Sequence, residues 1–185
     1  MWRPEAQGGR LLLLLARGAI SRALAVPGPD PDRLLSEALE REALRRPGAA
    51  FVTLRLEREL RGCLGTLEAE EPLAQAVTRQ AVAAAFHDPR FPPLTPRELE
   101  VVRLGVSVLG PFSPMLSPEG IVVGRHGVTL AHRGHHGVFL PEVGVEQGWD
   151  VPTLLEHLAV KAGLRRGDWR EAALSVFETV SFVED

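Results

Sequence analysis

Between Phe51 and Leu67 the chain reads FVTLRLERELRGCLGTL, and its hydrophobic period there is two. Val52, Leu54 and Leu56 alternate with Thr53, Arg55 and Glu57, the pattern of a strand with one buried face. Arg58-Glu59 turns the chain, and LRGCLGTL, residues 60–67, returns as the antiparallel partner. An isolated hairpin is marginal in water, so its apolar face needs a cover. The flanking sequence supplies helices. Residues 9–25 place Leu12, Leu15, Ala16, Ala19 and Ala23 at helical spacing. Asp30 followed by Pro31 caps a second helix, with Leu34, Leu35, Ala38 and Leu39 on one face and Pro47-Gly48 as its stop. Pro72 opens a third, in which Leu73, Ala76, Val77, Ala81 and Ala84 face inward until His87. Helices interleaved with a hairpin predict an α+β fold, mainly antiparallel sheet with packed helices.

Further along, TPRE (95–98) is a capping box that starts a short helix. VVRLGVSVL (101–109) reads as strand, and residues 121–140 read as two or three short strands broken by GRHG and HRGHHG. Asp150 caps a helix carrying Leu154, Leu155, Leu158 and Ala159, with Gly163 as its stop. ALSVFETVSFVED closes the chain as strand. At 185 residues this predicts a single domain over residues 10–184, with residues 1–9 as a flexible N-terminus.

The run LLLLLA (11–16) is far short of the roughly 20 apolar residues that span a bilayer, so no membrane partner is expected. The net charge of −3 creates no basic field, and nucleic acid is not expected as a direct high-affinity partner. One cysteine precludes a disulfide within the chain and fits a reducing interior, so the expected compartment is the cytoplasm. Nucleotide-binding glycine loops, the GxSxG elbow and HExxH do not occur, and no cofactor is implied.

The residues that bear chemistry are few. In a regular strand Arg61, Cys63 and Gly65 share one face, while Leu60, Gly62 and Leu64 share the other. Gly62 and Gly65 would let a ligand or another backbone approach the thiol, and a guanidinium beside Cys63 would favour thiolate. The competing reading makes Cys63 a small buried residue and the glycines a bulge, and the residues alone favour it. A cysteine nucleophile or acid/base group needs a partner, and His126, between two glycines, is the candidate proton carrier. His132, His135 and His136 crowd a hairpin tip, but Arg133 stands among them and no carboxylate lies in that segment, so no metal site is assigned. In DPRFPPL, Asp88 can pair with Arg90, Arg90 can hold an anion, and Phe91 makes an apolar corner with its prolines.

These motifs occur in a definite order: LRGCLGTL, DPRFPPL with Glu98-Leu99, VSVL (106–109), GRHGV (124–128), GVFLPEV (137–143), GWD (148–150), and KAGL (161–164) with Trp169. Together they resemble the AMMECR family, whose bacterial and archaeal members are also called AmmeMemoRadiSam system protein A. The resemblance implies an α+β domain with a larger and a smaller lobe and a groove lined by the LRGC-type motif. It implies Memo-like and radical SAM proteins as partners, and brings no established reaction. Its motif residues fall here on Arg61, Gly62, Cys63, Gly65, Asp88, Arg90, Phe91, Pro92, His126 and Gly127. Glu142, Val160 and Gly105 stand where the family commonly has glutamine, cysteine and an acidic residue. Two readings stay open: a ligand- or partner-binding accessory protein, or a thiol-dependent enzyme acting on an anionic, nucleotide- or RNA-related substrate. In both, Arg61, Gly62, Gly65, Asp88, Arg90 and Phe91 form the binding surface.

Overall fold

The computed structural model describes residues 3–185, which form two compact units. The first comprises the chain up to Leu109 together with Val180–Asp185; the second is Gly110–Thr179.

The first unit opens with α1 (Ala6–Ala23), then α2 (Pro31–Glu40) and a one-turn helix α3 (Glu42–Arg45). The hairpin follows as β1 (Ala50–Leu56) and β2 (Glu59–Gly65), then α4 (Leu73–Phe86), α5 (Pro96–Leu99) and β3 (Arg103–Leu109). The strand that closes the chain, β8 (Thr179–Val183), completes a four-stranded sheet in the order β2-β1-β3-β8. β2 is therefore an edge strand. The alternation read from the sequence is real: Val52, Leu54, Leu104 and Val106 are buried against Leu12, Leu15 and Ile20 of α1 and Val77, Ala81 and Ala84 of α4. The α+β class is as expected.

Three details differ from the sequence reading. α1 begins at Ala6, and Gly8 and Gly9 are buried, so residues 6–9 belong to the packed helix and not to a flexible segment. The reason is close approach: a Cβ at Gly9 would stand 2.0 Å from the Phe182 ring, which covers the helix there. Residues 1 and 2 of that expected segment lie outside the described residues. The second helix stops at Glu40, because Arg41 is extended (φ −88°, ψ 119°) and restarts the chain as α3. The hairpin turn is Glu57-Arg58, one residue earlier than expected, with Leu56 opposite Glu59 and Glu57 at φ 54°.

The second unit carries β4 (Ser113–Met115), β5 (Gly127–His132), β6 (His135–Phe139), α6 (Pro141–Gln147), α7 (Val151–Lys161) and β7 (Ala173–Phe177). Its sheet runs β4-β7-β5-β6 and is antiparallel throughout. Val128, Leu130 and Val176 pack on Leu154, Leu155 and Leu158 of α7. Asp150 caps α7 by accepting from the Thr153 amide at 2.9 Å, as its position before the apolar run predicts. Among the described residues no helix is long and apolar enough to cross a membrane.

Candidate functional site

The register of β1 and β2 decides what surrounds Cys63. Leu54 pairs with Gly62 but Arg55 pairs with Leu60, so Arg61 is an extra residue on β2 and the strand bulges there. The bulge breaks the strict alternation expected across this segment, and Arg61 and Cys63 do not share a face as residues of a regular strand. Gly62 lies opposite Leu54 and points at α4, where a Cβ would stand 2.3 Å from the Ala84 carbonyl oxygen. Glycine at 62 allows the helix to close on the strand. Gly65 lies opposite Phe51, and a Cβ there would meet that ring at 2.3 Å. The space beside each glycine is thus filled by the fold itself.

Cys63 lies opposite Thr53, and its Sγ is 3.3 Å from the Thr53 hydroxyl. Its own N–H and C=O point away from β1, off the edge of the sheet. Such an edge is a template for another strand unless something covers it. Two side chains do. The Cys63 amide donates to Asp88 Oδ2 at 2.9 Å, and Arg90 Nη2 donates to the Cys63 carbonyl at 3.1 Å. A carboxylate and a guanidinium present the acceptor and donor that a neighbouring strand would present. They also bind each other: Asp88 Oδ1 accepts from the Arg90 amide and from Nε, while Oδ2 accepts from Nη2 at 2.7 Å. This geometry follows from α4 ending at His87, which delivers Asp88 and the loop of prolines to the strand edge.

The electrostatics match. The Asp88 side chain is 2 % exposed, and its pKa is held well below the ordinary carboxylate value. The Arg90 hydrogen bond is the main cause; burial opposes it, and the Cys63 and Arg90 amides assist. Arg90 has its pKa raised, chiefly by the Asp88 hydrogen bond and in smaller part by the charges of Asp88 and Cys63. The guanidinium beside the thiol is therefore Arg90, where the spacing pointed to Arg61.

Arg61 is occupied elsewhere. Its side chain is 9 % exposed, and it donates through Nε and Nη2 to the two oxygens of Glu98 and through Nη2 to the Pro93 carbonyl. Glu98 is the last residue of the TPRE capping box and also accepts from Thr95. Its pKa is lowered to about 2, first by Arg61 and then, against burial, by Thr95. Phe91 lies between the two cations, 5.9 Å from the Arg61 guanidinium carbon and 5.5 Å from that of Arg90. One unit thus gathers Arg61, Cys63, Asp88, Arg90 and Phe91. Thr53, Phe51 and the bracing role of Glu98 were not read from the sequence as part of this cluster; the bulge and the hairpin register reveal them.

His126 belongs to the second unit. Its Nδ1 accepts from the Val122 amide at 3.1 Å, inside the turn made by residues 122–126. With Nδ1 so engaged, the neutral ring carries its proton on Nε2 and presents a donor. Of the hairpin-tip histidines, His132 and His135 are directly opposed across β5 and β6, while His136 is paired with Ala131. His135 Nδ1 lies 2.9 Å from the Ala162 carbonyl and donates to it at the end of α7.

The fold and this braced edge strand define an α+β protein of two compact units with an Arg-Gly-Cys bulge on one sheet edge. The chain belongs to the AMMECR1 family, whose model matches residues 13–182. It is 39 % identical to a protein of Thermofilum pendens over 100 % of this chain and 93 % of that one. It is 37 % identical to a protein of Methanopyrus kandleri over 96 % of this chain and 88 % of its relative. The crystal structure of an uncharacterised protein from Pyrococcus horikoshii superposes with a TM-score of 0.86 at 31 % identity, covering 98 % of this chain and 93 % of that chain.

Proposed function

We propose that this protein is a cytoplasmic accessory protein that binds a partner or ligand through the Cys63–Arg90–Phe91 surface, working with Memo-like and radical SAM proteins. The observation that carries the reading is the state of the two arginines. Arg61 is buried and neutralised by Glu98, so it braces the strand. Arg90 is fixed by Asp88 through its Nε–Nη2 edge, yet its side chain is 54 % exposed. A guanidinium held in one orientation over an aromatic ring loses little entropy on binding, and Arg with aromatic residues dominates protein-binding hot spots. Asp88, Arg61, Gly62 and Gly65 build and hold this surface; Arg90 and Phe91 meet the partner, with Arg90 taking its anionic group. Purified chain mixed with a Memo-like or radical SAM protein from the same organism should form a complex that Phe91→Ala weakens. Lack of complex with either class would remove this reading.

A second reading rests on the Cys63–Arg90 charge interaction. A thiol beside a fixed cation gains thiolate character, as a thiol-dependent enzyme would need. Alkylation of folded chain across pH 6–10 tests it: a thiol already reactive well below its ordinary range, near 8.5, supports catalysis.

A further inference from the structure

The helices α1 and α4 cover one face of the sheet in the first unit, burying Val52, Leu54, Leu104 and Val106. Thr53, Arg55, Arg103 and Gly105 alternate with these residues along β1 and β3, so they lie on the opposite face. There Thr53 stands directly opposite Gly105, and Arg55 directly opposite Arg103. Gly105 is unlike Gly62 and Gly65, whose side-chain space the fold fills. A Cβ at Gly105 would meet nothing closer than the Phe182 carbonyl oxygen and Val183 Cγ2, both at 3.8 Å, which is ordinary contact. Its φ is not positive either. Glycine inside a strand weakens it, so one that neither packing nor backbone requires marks a place where something else approaches the sheet.

The charges beside this hollow are unbalanced. Like charges directly opposite in a ladder repel, and here two guanidinium-bearing residues face each other. Arg55 donates through Nη1 to the Arg58 carbonyl at 3.3 Å. Arg103 is exposed, and its guanidinium makes no hydrogen bond or ion pair among the described residues. Neither carboxylate that follows β8 neutralises it. Glu184 is committed to Arg17 and to the Leu104 amide, and Asp185 is exposed and makes no ion pair among the described residues. Val183, 65 % exposed, gives the hollow an apolar wall on its other side. An empty floor, a hydrocarbon wall, the Thr53 side chain and an uncompensated cation therefore meet at one point of the sheet.

We propose that the hollow over Gly105 binds a small aliphatic carboxylate. Its two oxygens accept from Arg103 in the forked geometry that a guanidinium favours, and its charge offsets the repulsion between Arg103 and Arg55. Its hydrocarbon lies on Gly105, against Val183 and Thr53. This site uses neither Arg90 nor Phe91, and it stands whether or not that surface binds a partner.

The test is a titration of the full chain with isovalerate, and separately with 3-methylbutan-1-ol, followed by amide chemical shifts. Isovalerate should give saturable shifts at Thr53, Gly105 and Val183. The alcohol, of the same shape without the charge, should bind about fivefold more weakly, the factor an exposed ion pair supplies. Arg103→Gln, at an exposed position, should erase that difference, and Gly105→Val should fill the hollow and abolish binding of both. Gly105→Ala reads whether the fold itself needs the glycine: its methyl makes ordinary contacts, so the urea midpoint should hold or rise. Equal affinity for carboxylate and alcohol in the wild-type chain, shifts that do not saturate, shifts centred on Arg90 and Phe91, or a Gly105→Ala chain less stable than wild type would each overturn the proposal.

Discussion

Asp88 accepts the outward-facing amide of Cys63 at 2.9 Å, and through this bond a loop closes the open edge of a sheet. The same carboxylate fixes Arg90, which returns a donor to the Cys63 carbonyl. Removing the carboxylate should undo both. Asp88→Ala is expected to destabilise the chain by about 2–3 kcal/mol, as for a buried acceptor of charge-assisted bonds whose partner can still reach water. The Cys63 amide should exchange faster with solvent. Urea unfolding and hydrogen exchange read the two effects.

Acid should act on Asp88 and on the separate carboxylate that braces Arg61, Glu98. The folded-state pKa values of Asp88 and Glu98 lie below their ordinary values of 3.8 and 4.5, Glu98 at about 2. A depressed carboxylate contributes stability that is complete above its unfolded value and is lost as pH falls toward its folded one. The urea midpoint should therefore hold down to about pH 5 and fall between about pH 4.5 and 2. Glu98→Gln should lower the plateau, because Arg61 loses its counter-charge, and make the acid decline shallower.

Gly62 is required by the approach of α4. Gly62→Ala places a methyl 2.3 Å from the Ala84 carbonyl oxygen, and neither backbone can yield cheaply. A loss of about 2 kcal/mol or more is expected in equilibrium unfolding, the range for overpacking a close contact.

Glu57 offers the opposite test. It holds φ 54° at an exposed turn, a region that costs side-chain-bearing residues about 1–2 kcal/mol. Glu57→Gly should raise stability by about 0.5 kcal/mol, the strain relieved less the added freedom of the unfolded chain. Thermal unfolding measures it.

Much of the architecture was legible before any coordinates. The period of two at Val52, Leu54 and Leu56 marks β1, and Asp30-Pro31, TPRE and Asp150 mark helix starts, because caps and alternation are local properties. The membership of the cluster was also partly legible, since Asp88, Arg90 and Phe91 come from one tripeptide-spaced motif. What the sequence hid is relational. The bulge at Arg61 depends on pairing with β1, and no turn dipeptide such as Asn-Gly announces the Glu57-Arg58 register. A strict count of alternate residues therefore set Arg61 beside Cys63. The partner of Arg61, Glu98, lies 37 positions away, and the filling of the glycine spaces by Phe51 and Ala84 is a tertiary event. His126 was read as a proton carrier, while its bond from the Val122 amide, which selects the tautomer, depends on a turn conformation.

The division of labour between Arg90-Phe91 and the sulfur is the central claim, and calorimetric titration of the chain with a Memo-like protein of the same organism tests it most directly. Cys63→Ser retains a side chain of similar size opposite Thr53 and leaves the backbone clasp intact. The account predicts that this variant binds within about threefold of wild type while Phe91→Ala loses at least tenfold, the scale of a hot-spot truncation. Binding that vanishes with Cys63→Ser and survives Phe91→Ala would contradict it.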